Sequence, residues 1–185
     1  MCGRFQMTEE TFSAIARMAH IPSFEEIPLG MIYPSQKSLV LYDDHGTIKG
    51  GLAVFGYPWK TRKGRLLNAR AETVLDKPMF RLGMERYRVV IPASCFYEWN
   101  VHKTMVAFSE PRSPVLYMAG FMMEDSFVIL TTRANASVQD IHHRMPVILR
   151  PDQVRLWLCD RRMTEPLLQG CDPLLDSVPG ENKNI

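Results

Sequence analysis

Residues 115–132 read VLYMAGFMMEDSFVILTT, and they indicate the fold class. Val115–Met122 and Phe127–Thr132 are rich in β-branched and aromatic residues, which is typical of strands. Because strands follow one another here with few helices between them, we expect an α+β domain. Its sheet should be mixed or largely antiparallel and curled toward a barrel, with short flanking helices, and not a doubly wound parallel fold. The same composition predicts further strands at Ser38–Tyr42, Ile48–Phe55, Tyr87–Pro92 and Met105–Phe108.

Short helices are predicted at three places along the chain. Thr8 can cap a helix whose apolar side chains recur at i, i+3, i+4 and i+7 from Phe12. Lys77–Arg86 has the length of a short helix, and Pro151–Asp160 has a proline in its first turn, where proline favours helix formation. The turn signal Asp43-Asp44-His45-Gly46 separates two of the predicted strands.

The chain has 185 residues, which predicts one domain. We expect it to span residues 2–175, followed by a mobile tail at 176–185. With 46% hydrophobic and 23% charged residues, the composition is that of a globular protein and excludes a disordered chain. No run of about 18 apolar residues can span a bilayer, and no signal peptide is recognisable. We therefore expect a cytoplasmic monomer with no membrane association.

The formal net charge of +2 conceals an uneven distribution. Between Lys60 and Lys103 there are ten basic and four acidic residues, a net charge of +6. Such a segment is either an anion-binding surface or an ordinary solvated face. The four cysteines show no zinc-binding or redox spacing, and the pair His142-His143 has no spaced carboxylate or cysteine ligands nearby. We therefore predict neither a metal site nor a cofactor.

The N-terminal segment Met1-Cys2-Gly3-Arg4-Phe5 contains the first chemical signal. Initiator methionine is commonly removed before a small residue, which would leave Cys2 with a free α-amine beside its thiol. An α-amine titrates near ~7.7–8.0 and a thiol near ~8.5, so both are usable nucleophiles at neutral pH. The thiolate can attack an acyl carbon, with the amine as base. Alternatively, the amine can condense with an aldehyde, after which the thiol closes a thiazolidine ring.

Two further segments place polar groups in unusual surroundings. In an extended segment, Asn68, Arg70 and Glu72 share one face and small alanines lie behind them, which suits either a pocket floor or a solvated edge. Glu98 lies among the aromatic residues of CFYEW, where apolar surroundings raise a carboxyl pKa and favour acid–base work. It can equally pair with a nearby arginine. In an extended segment, His142 and His143 should point in opposite directions.

Aromatic residues precede the first cations of the basic segment. In Phe55-Gly56-Tyr57-Pro58-Trp59, exposed rings can stack on unpaired bases while the following cations hold phosphates. The alternative places Phe55 and Trp59 in the core, and for Phe55, at the end of a predicted strand, we prefer the core.

Five motifs, taken in order, identify a family. MCGRF, LNARAET, CFYEW, ILTTRAN and HHRMPVIL, spread over residues 1–150, resemble the SRAP family of SOS-response-associated peptidase-like proteins, which process abasic sites. The resemblance implies a DNA-damage function. Cys2, freed of Met1 by self-removal or an aminopeptidase, would attack the ring-opened aldehyde of an abasic site in single-stranded DNA. The product would be a covalent thiazolidine crosslink that shields the lesion.

The resemblance also implies roles for individual residues. Cys2, Asn68, Glu98 and His142 would be catalytic, with Glu98 moving protons and His142 opening the sugar, and His143 would occupy a variable position. Cleavage of peptides other than the Met1–Cys2 bond does not follow from the motifs. The predicted contacts to single-stranded DNA are Arg4, Arg70 and Arg144 for phosphates, and Tyr57, Trp59 and Trp99 for bases.

Two other functions compete with this interpretation. Class II glutamine amidotransferases, which are N-terminal-nucleophile amidohydrolases, also begin Met-Cys-Gly, but their further glycine-rich and arginine-containing motifs are not found in this chain. A non-covalent module that binds single-stranded DNA, with a structural Cys2, is the second alternative.

Overall fold

The computed structural model describes residues 2–21, 26–59, 61, 63–170 and 173–180. In these ranges the chain forms fifteen strands and four α-helices. The strands are β1 (Phe5–Met7), β2 (Gly30–Ile32), β3 (Lys37–Asp44), β4 (Thr47–Phe55), β5 (Tyr57–Pro58), β6 (Arg65–Leu66), β7 (Asn68–Arg70), β8 (Arg88–Ala93), β9 (Cys95–Trp99), β10 (Met105–Ser109), β11 (Leu116–Met123), β12 (Ser126–Arg133), β13 (Arg144–Pro146), β14 (Ile148–Leu149) and β15 (Asp176–Pro179). The helices are α1 (Glu9–Ala16), α2 (Pro78–Arg86), α3 (Pro151–Cys159) and α4 (Thr164–Leu168).

The larger sheet closes on itself. Strands β12, β4, β3, β8 and β11 pair in that order, and β11 pairs with β12 again. β12 runs parallel to β4 and β7, whereas its pairings with β11 and β13 are antiparallel. The prediction of an α+β domain with a mixed, largely antiparallel sheet curled into a barrel is therefore confirmed.

A smaller antiparallel sheet, in the order β15-β10-β9-β1-β2, packs against one face of the larger sheet. Phe5 of this sheet lies edge-on to Phe55 with 5.5 Å between ring centroids, and Phe55 stacks on Phe127 at 5.2 Å. Cys2 belongs to the same buried cluster and is fully inaccessible to solvent. The N-terminal segment is thus held in the core between the two sheets, and Phe55 is a core residue as we expected.

The helices cover the opposite face of the larger sheet. Phe80 of α2 packs on Phe121 at 5.3 Å, and Gly83 makes this contact possible because a Cβ there would lie 2.5 Å from the Phe121 ring. Trp157 of α3 is fully buried, and its Nε1 donates to the Val89 carbonyl oxygen at 2.9 Å. The sheet is therefore covered by helices on one side and by the smaller sheet on the other.

Arg88, at the start of β8, joins the C-terminal ends of α2 and α3. Its guanidinium donates to the carbonyls of Met84 at 2.8 Å, Trp157 at 2.6 Å and Leu158 at 3.4 Å. These carbonyls belong to the last turns of α2 and α3, where helices leave oxygens without partners and the dipole favours a cation. Arg88 is only 6% exposed, so its charge is used for capping within the fold.

The local predictions agree with these elements. Thr8 caps α1 as predicted, since its side chain accepts from the Thr11 amide at 3.2 Å, but the helix ends at Ala16, three residues before Ala19, the last apolar position of the predicted pattern. Gly46 donates its amide to Asp43 Oδ1 at 2.9 Å in the predicted turn. The described residues contain no helix long and apolar enough to cross a membrane.

The prediction of a mobile tail at 176–185 is wrong for residues 176–179. Asp176–Pro179 form β15, which pairs with β10 in a register that sets Val106 opposite Pro179. The side chains of β15 are all exposed, so main-chain pairing at a sheet edge holds this strand without any apolar pattern in its sequence. Residues 181–185 lie outside the described residues.

Candidate functional site

The four predicted catalytic side chains converge where the N-terminal segment meets β7, β9 and the turn before β13. Asn68 Nδ2 donates to the Cys2 carbonyl oxygen at 3.0 Å. Burial and the charge of Glu98 together raise the pKa of the Cys2 thiol, and His142 partly opposes the burial that raises the pKa of the Glu98 carboxyl, so Glu98 lies near Cys2 and His142 lies near Glu98. Three distant parts of the sequence therefore meet around Cys2.

The Cys2 thiol is held in its neutral form. Burial raises its pKa far above the ordinary value, and the negative charge of Glu98 acts in the same direction. Its Sγ lies 3.8 Å from the Arg4 carbonyl oxygen. Such a thiol is protonated at neutral pH and is a poor nucleophile until a base removes its proton.

Asn68 is held by a strand in the sheet. β7 runs parallel to β12 with Asn68 opposite Ile129, and Ala69 points into the core, so Asn68 and Arg70 share the other side as the alternation predicts. Asn68 Oδ1 is buried and has no hydrogen-bond partner within the described ranges. Glu72 leaves this alternation because residues 71–73 form a 3-10 turn, so the predicted shared face ends at Arg70.

Glu98 faces the barrel from β9, one residue before the end of the strand. Its neighbours Tyr97 and Trp99 lie on the opposite face of the strand, since alternate residues of a strand point in opposite directions. Glu98 is 3% exposed, and burial raises its pKa, with the nearby His142 acting in the other direction. A carboxyl with a raised pKa can both give and take a proton near neutrality.

His142 and His143 do not point in opposite directions, contrary to the expectation for an extended segment. They precede β13, and their rings lie 4.5 Å apart between centroids. His142 Nδ1 lies 2.9 Å from the Arg144 carbonyl oxygen and 3.0 Å from the Arg144 amide nitrogen. His143 is exposed, and the charge of His142 lowers its pKa. Within the described residues, no three histidine, cysteine or acidic side chains are grouped to hold a metal ion.

Arg144 is placed differently from its predicted role. It is 6% exposed and makes a bidentate pair with Glu72, with Nη1–Oε1 at 2.6 Å and Nη2–Oε2 at 2.8 Å. Its Nη2 also donates to the Thr131 carbonyl oxygen. In this arrangement its donors face the carboxylate of Glu72, which is exposed at the surface, and a buried carbonyl, so the phosphate contact expected of Arg144 stays a prediction.

The remaining DNA-binding predictions divide by exposure. Arg70 is exposed, and the Arg4 guanidinium lies between the rings of Tyr33 at 4.6 Å and Trp99 at 4.8 Å, a geometry in which a cation is attracted to both ring faces. Tyr57 is 8% exposed and its hydroxyl donates to Glu124, so little of this residue is open to a base, and its stacking role stays a prediction.

Trp59 is half-buried and begins the loop that carries the first cations of the basic segment. Its amide donates to the Gly64 carbonyl oxygen at 3.3 Å. Lys60 and Arg62 of that loop lie outside the described residues. The stacking role of Trp59 therefore stays a prediction.

The loop that ends in His142 is organised by Asn135, the last residue of the motif ILTTRAN, for which the sequence predicted no individual role. Asn135 Oδ1 accepts from the Ser137 amide at 3.0 Å and from its hydroxyl at 2.6 Å, and Nδ2 donates to the Pro173 carbonyl oxygen at 2.8 Å. Ser137 Oγ in turn accepts from the Leu175 amide at 3.1 Å. An asparagine two residues before a serine is a local signal for such a turn.

Comparisons with known proteins agree on one family. The model of the family described as SOS response associated peptidase (SRAP) matches residues 1–182. The abasic site processing protein YoqW of Bacillus subtilis is 32% identical over 191 residues, covering 91% of this chain and 85% of that protein. The abasic site processing protein YedK of Escherichia coli is 26% identical over 196 residues, covering 94% and 88%.

A solved structure supports the fold independently. A protein from Bacteroides thetaiotaomicron superposes with a TM-score of 0.80 at 21% identity, covering 98% of this chain and 93% of that chain. A protein from Bordetella bronchiseptica also superposes with a TM-score of 0.80, covering 97% and 100%.

Proposed function

This chain belongs to the SRAP family, and from that premise we propose that it binds single-stranded DNA at an abasic site and joins itself to the lesion through a thiazolidine at Cys2. The observation that supports this most directly is the grouping of Asn68, Glu98 and His142 around Cys2. Hydrolysis of the Met1–Cys2 bond, with one water consumed, would first free the α-amine. The product would be a 1,2-aminothiol.

The amine attacks first. It adds to the aldehyde carbon of the ring-opened sugar and forms a carbinolamine, while the Cys2 thiol is kept neutral by its burial. Protonated Glu98 then gives its proton to the carbinolamine hydroxyl, which leaves as water. The nitrogen lone pair forms the C=N bond of an iminium ion, and Glu98 is left as a carboxylate. The raised pKa of Glu98 supports its role as this acid.

The thiol closes the ring in the second step. The Glu98 carboxylate takes the thiol proton as sulfur bonds to the iminium carbon, and the C=N electron pair returns to nitrogen. A thiazolidine results, one water has been released, and Glu98 is protonated again. Asn68 would hold the Cys2 main chain through its 3.0 Å bond, so that amine and thiol meet the same carbon.

His142 would open the sugar before these steps. The closed hemiacetal must lose the proton of its anomeric hydroxyl and gain one on its ring oxygen, which a single histidine can accomplish by exchanging protons. Arg70 and the Arg4–Trp99 stack would hold the flanking nucleotides. Because an abasic site has no base to read, binding should have weak sequence preference and should weaken with salt.

The decisive experiment combines intact mass with crosslinking. The purified protein should lack Met1, and with an abasic single-stranded oligonucleotide it should form a band that survives heat and denaturant. Cys2→Ala should abolish the band, whereas the matched control Cys95→Ala should retain it, because Cys95 is also buried but faces the outer side of β9. A wild-type protein that lacks Met1 and forms no such band would overturn the proposal.

The same assays separate the proposed function from the two alternatives. An N-terminal-nucleophile amidohydrolase would use the Cys2 thiolate to attack an acyl carbon. Ammonia release from glutamine without a DNA crosslink would support that alternative. A non-covalent module would bind DNA equally well after Cys2→Ala and would give no denaturant-resistant band.

A further inference from the structure

The pair Glu72–Arg144 borders the candidate site but has no role in the steps above. Both carboxylate oxygens of Glu72 are engaged by Arg144, at 2.6 and 2.8 Å. The Arg144 guanidinium also donates to the Thr131 carbonyl oxygen on β12. Arg144 is 6% exposed, whereas the Glu72 side chain is 43% exposed. Loss of the carboxylate would leave the largely buried guanidinium without its ionic partner, which is unfavourable. The ion pair therefore holds the position of Arg144.

The main chain of Arg144 is the partner of His142. Its amide nitrogen and its carbonyl oxygen lie 3.0 and 2.9 Å from the same ring atom, Nδ1. A deprotonated Nδ1 can accept from the amide, and a protonated Nδ1 can donate to the carbonyl. His142 thus keeps a main-chain partner in either tautomer.

This arrangement suits a histidine that must act as both base and acid. Because Nδ1 is bonded to Arg144, Nε2 is the ring nitrogen that would exchange a proton with the substrate. It accepts a proton when Nδ1 carries the hydrogen and donates one when Nε2 carries it. Opening a hemiacetal needs both actions. Among the described residues, the charged or titratable groups that act on this pair of histidines include Glu98 from β9, which interacts with His142, and Arg70 from β7, whose charge lowers the pKa of His143.

We propose that Glu72 is a positioning residue for His142, acting through the guanidinium and main chain of Arg144 so that Nδ1 keeps its partner in both tautomers. This rests on the proposed function, which supplies the reaction that His142 serves. Glu72 lies four residues after Asn68, so β7 and the 3-10 turn that follows it support Cys2 from one end and His142 from the other.

The kinetic test is a double-mutant cycle. Glu72→Gln should slow single-turnover crosslinking about ten-fold, since misplaced acid–base groups lose one or more factors of ten in rate. In a His142→Ala background the same change should have no further effect. The matched control is Glu85→Gln, which removes an exposed carboxylate paired with Arg81 on α2 and should leave the rate unchanged. A ten-fold loss that persists without His142 would overturn the proposal.

A spectroscopic test does not depend on DNA. Long-range ¹H–¹⁵N spectra report the tautomer of His142 through its two ring-nitrogen shifts. Glu72→Gln should change those shifts and leave those of the distant, exposed His45 unchanged. Unchanged His142 shifts in a folded Glu72→Gln protein would overturn the proposal. If that variant does not fold, Glu72→Asp, which keeps the charge on a shorter side chain, is measured under the same criterion.

The two tests separate the proposals. Absence of a wild-type crosslink would refute the proposed function, whereas the ring-nitrogen shifts would still decide whether Glu72 positions His142.

Discussion

Replacing Glu98 by glutamine should stabilise the fold while it slows crosslinking. Glu98 is 3% exposed, and burial raises its pKa above the ordinary value near ~4.3. Between that value and the raised pKa, the unfolded chain ionises this carboxyl and the folded chain does not. The free energy of unfolding therefore falls as pH rises through this window, and glutamine, which cannot ionise, removes the loss.

The magnitude follows from linkage. Each unit by which the folded pKa exceeds the unfolded value costs about 1.4 kcal/mol at pH above both values. For a chain of 185 residues, that corresponds to an increase in melting temperature of about 3–6 °C per unit for Glu98→Gln. The same change removes the proton carrier from both steps of the proposed reaction, which should slow crosslinking about 100-fold or more.

Two measurements on one variant check this reasoning. Melting temperatures from pH 4 to pH 8 should show no advantage for Glu98→Gln at pH 4 and a growing advantage above it, and single-turnover crosslinking at pH 7 should show the slower rate. A variant less stable than wild type at pH 8 would refute the burial argument. An unchanged crosslinking rate would remove Glu98 from the mechanism.

Three further predictions concern other charged residues. Arg88→Met should lower the free energy of unfolding by about 3 kcal/mol, because three helix-end carbonyls lose their donor. Denaturant unfolding measures this difference, and a loss below about 1 kcal/mol would contradict the capping role. Arg70→Ala should weaken binding to undamaged single-stranded DNA and reduce the slope of log K against log salt by about 0.7, measured by fluorescence anisotropy; an unchanged slope would show that Arg70 contacts no phosphate. The hydrogen bond to Arg144 lowers the pKa of Glu72, so this pair should stabilise the fold above about pH 4.3 and lose that effect as pH falls. The difference in melting temperature between wild type and Glu72→Gln should therefore shrink between pH 6 and pH 3. A constant difference would contradict an ionic origin of the stabilisation.

Much of the fold is visible in the sequence because it arises from local patterns. The long strands β3, β4, β8, β11 and β12 coincide with runs of β-branched and aromatic residues, and Thr8 and Pro151 lie where helices begin. Strands of two to four residues, such as β7 and β15, have no such pattern. They form because a neighbouring strand offers unpaired main-chain groups, and that neighbour is distant in the chain.

Part of the candidate site is likewise visible in the sequence, and part depends on the tertiary structure. Motifs select the reactive residue types, since an N-terminal aminothiol or a carboxylate among aromatics is a chemical feature of the sequence. Arg70 and Arg144 are the same residue type in two motifs, yet Arg70 is exposed and Arg144 is committed to Glu72. Tyr57 likewise gives no local sign that its ring is buried. Burial and ion pairing depend on which segments meet in space, so only the tertiary structure shows that one arginine is exposed to solvent and that the other pairs with Glu72.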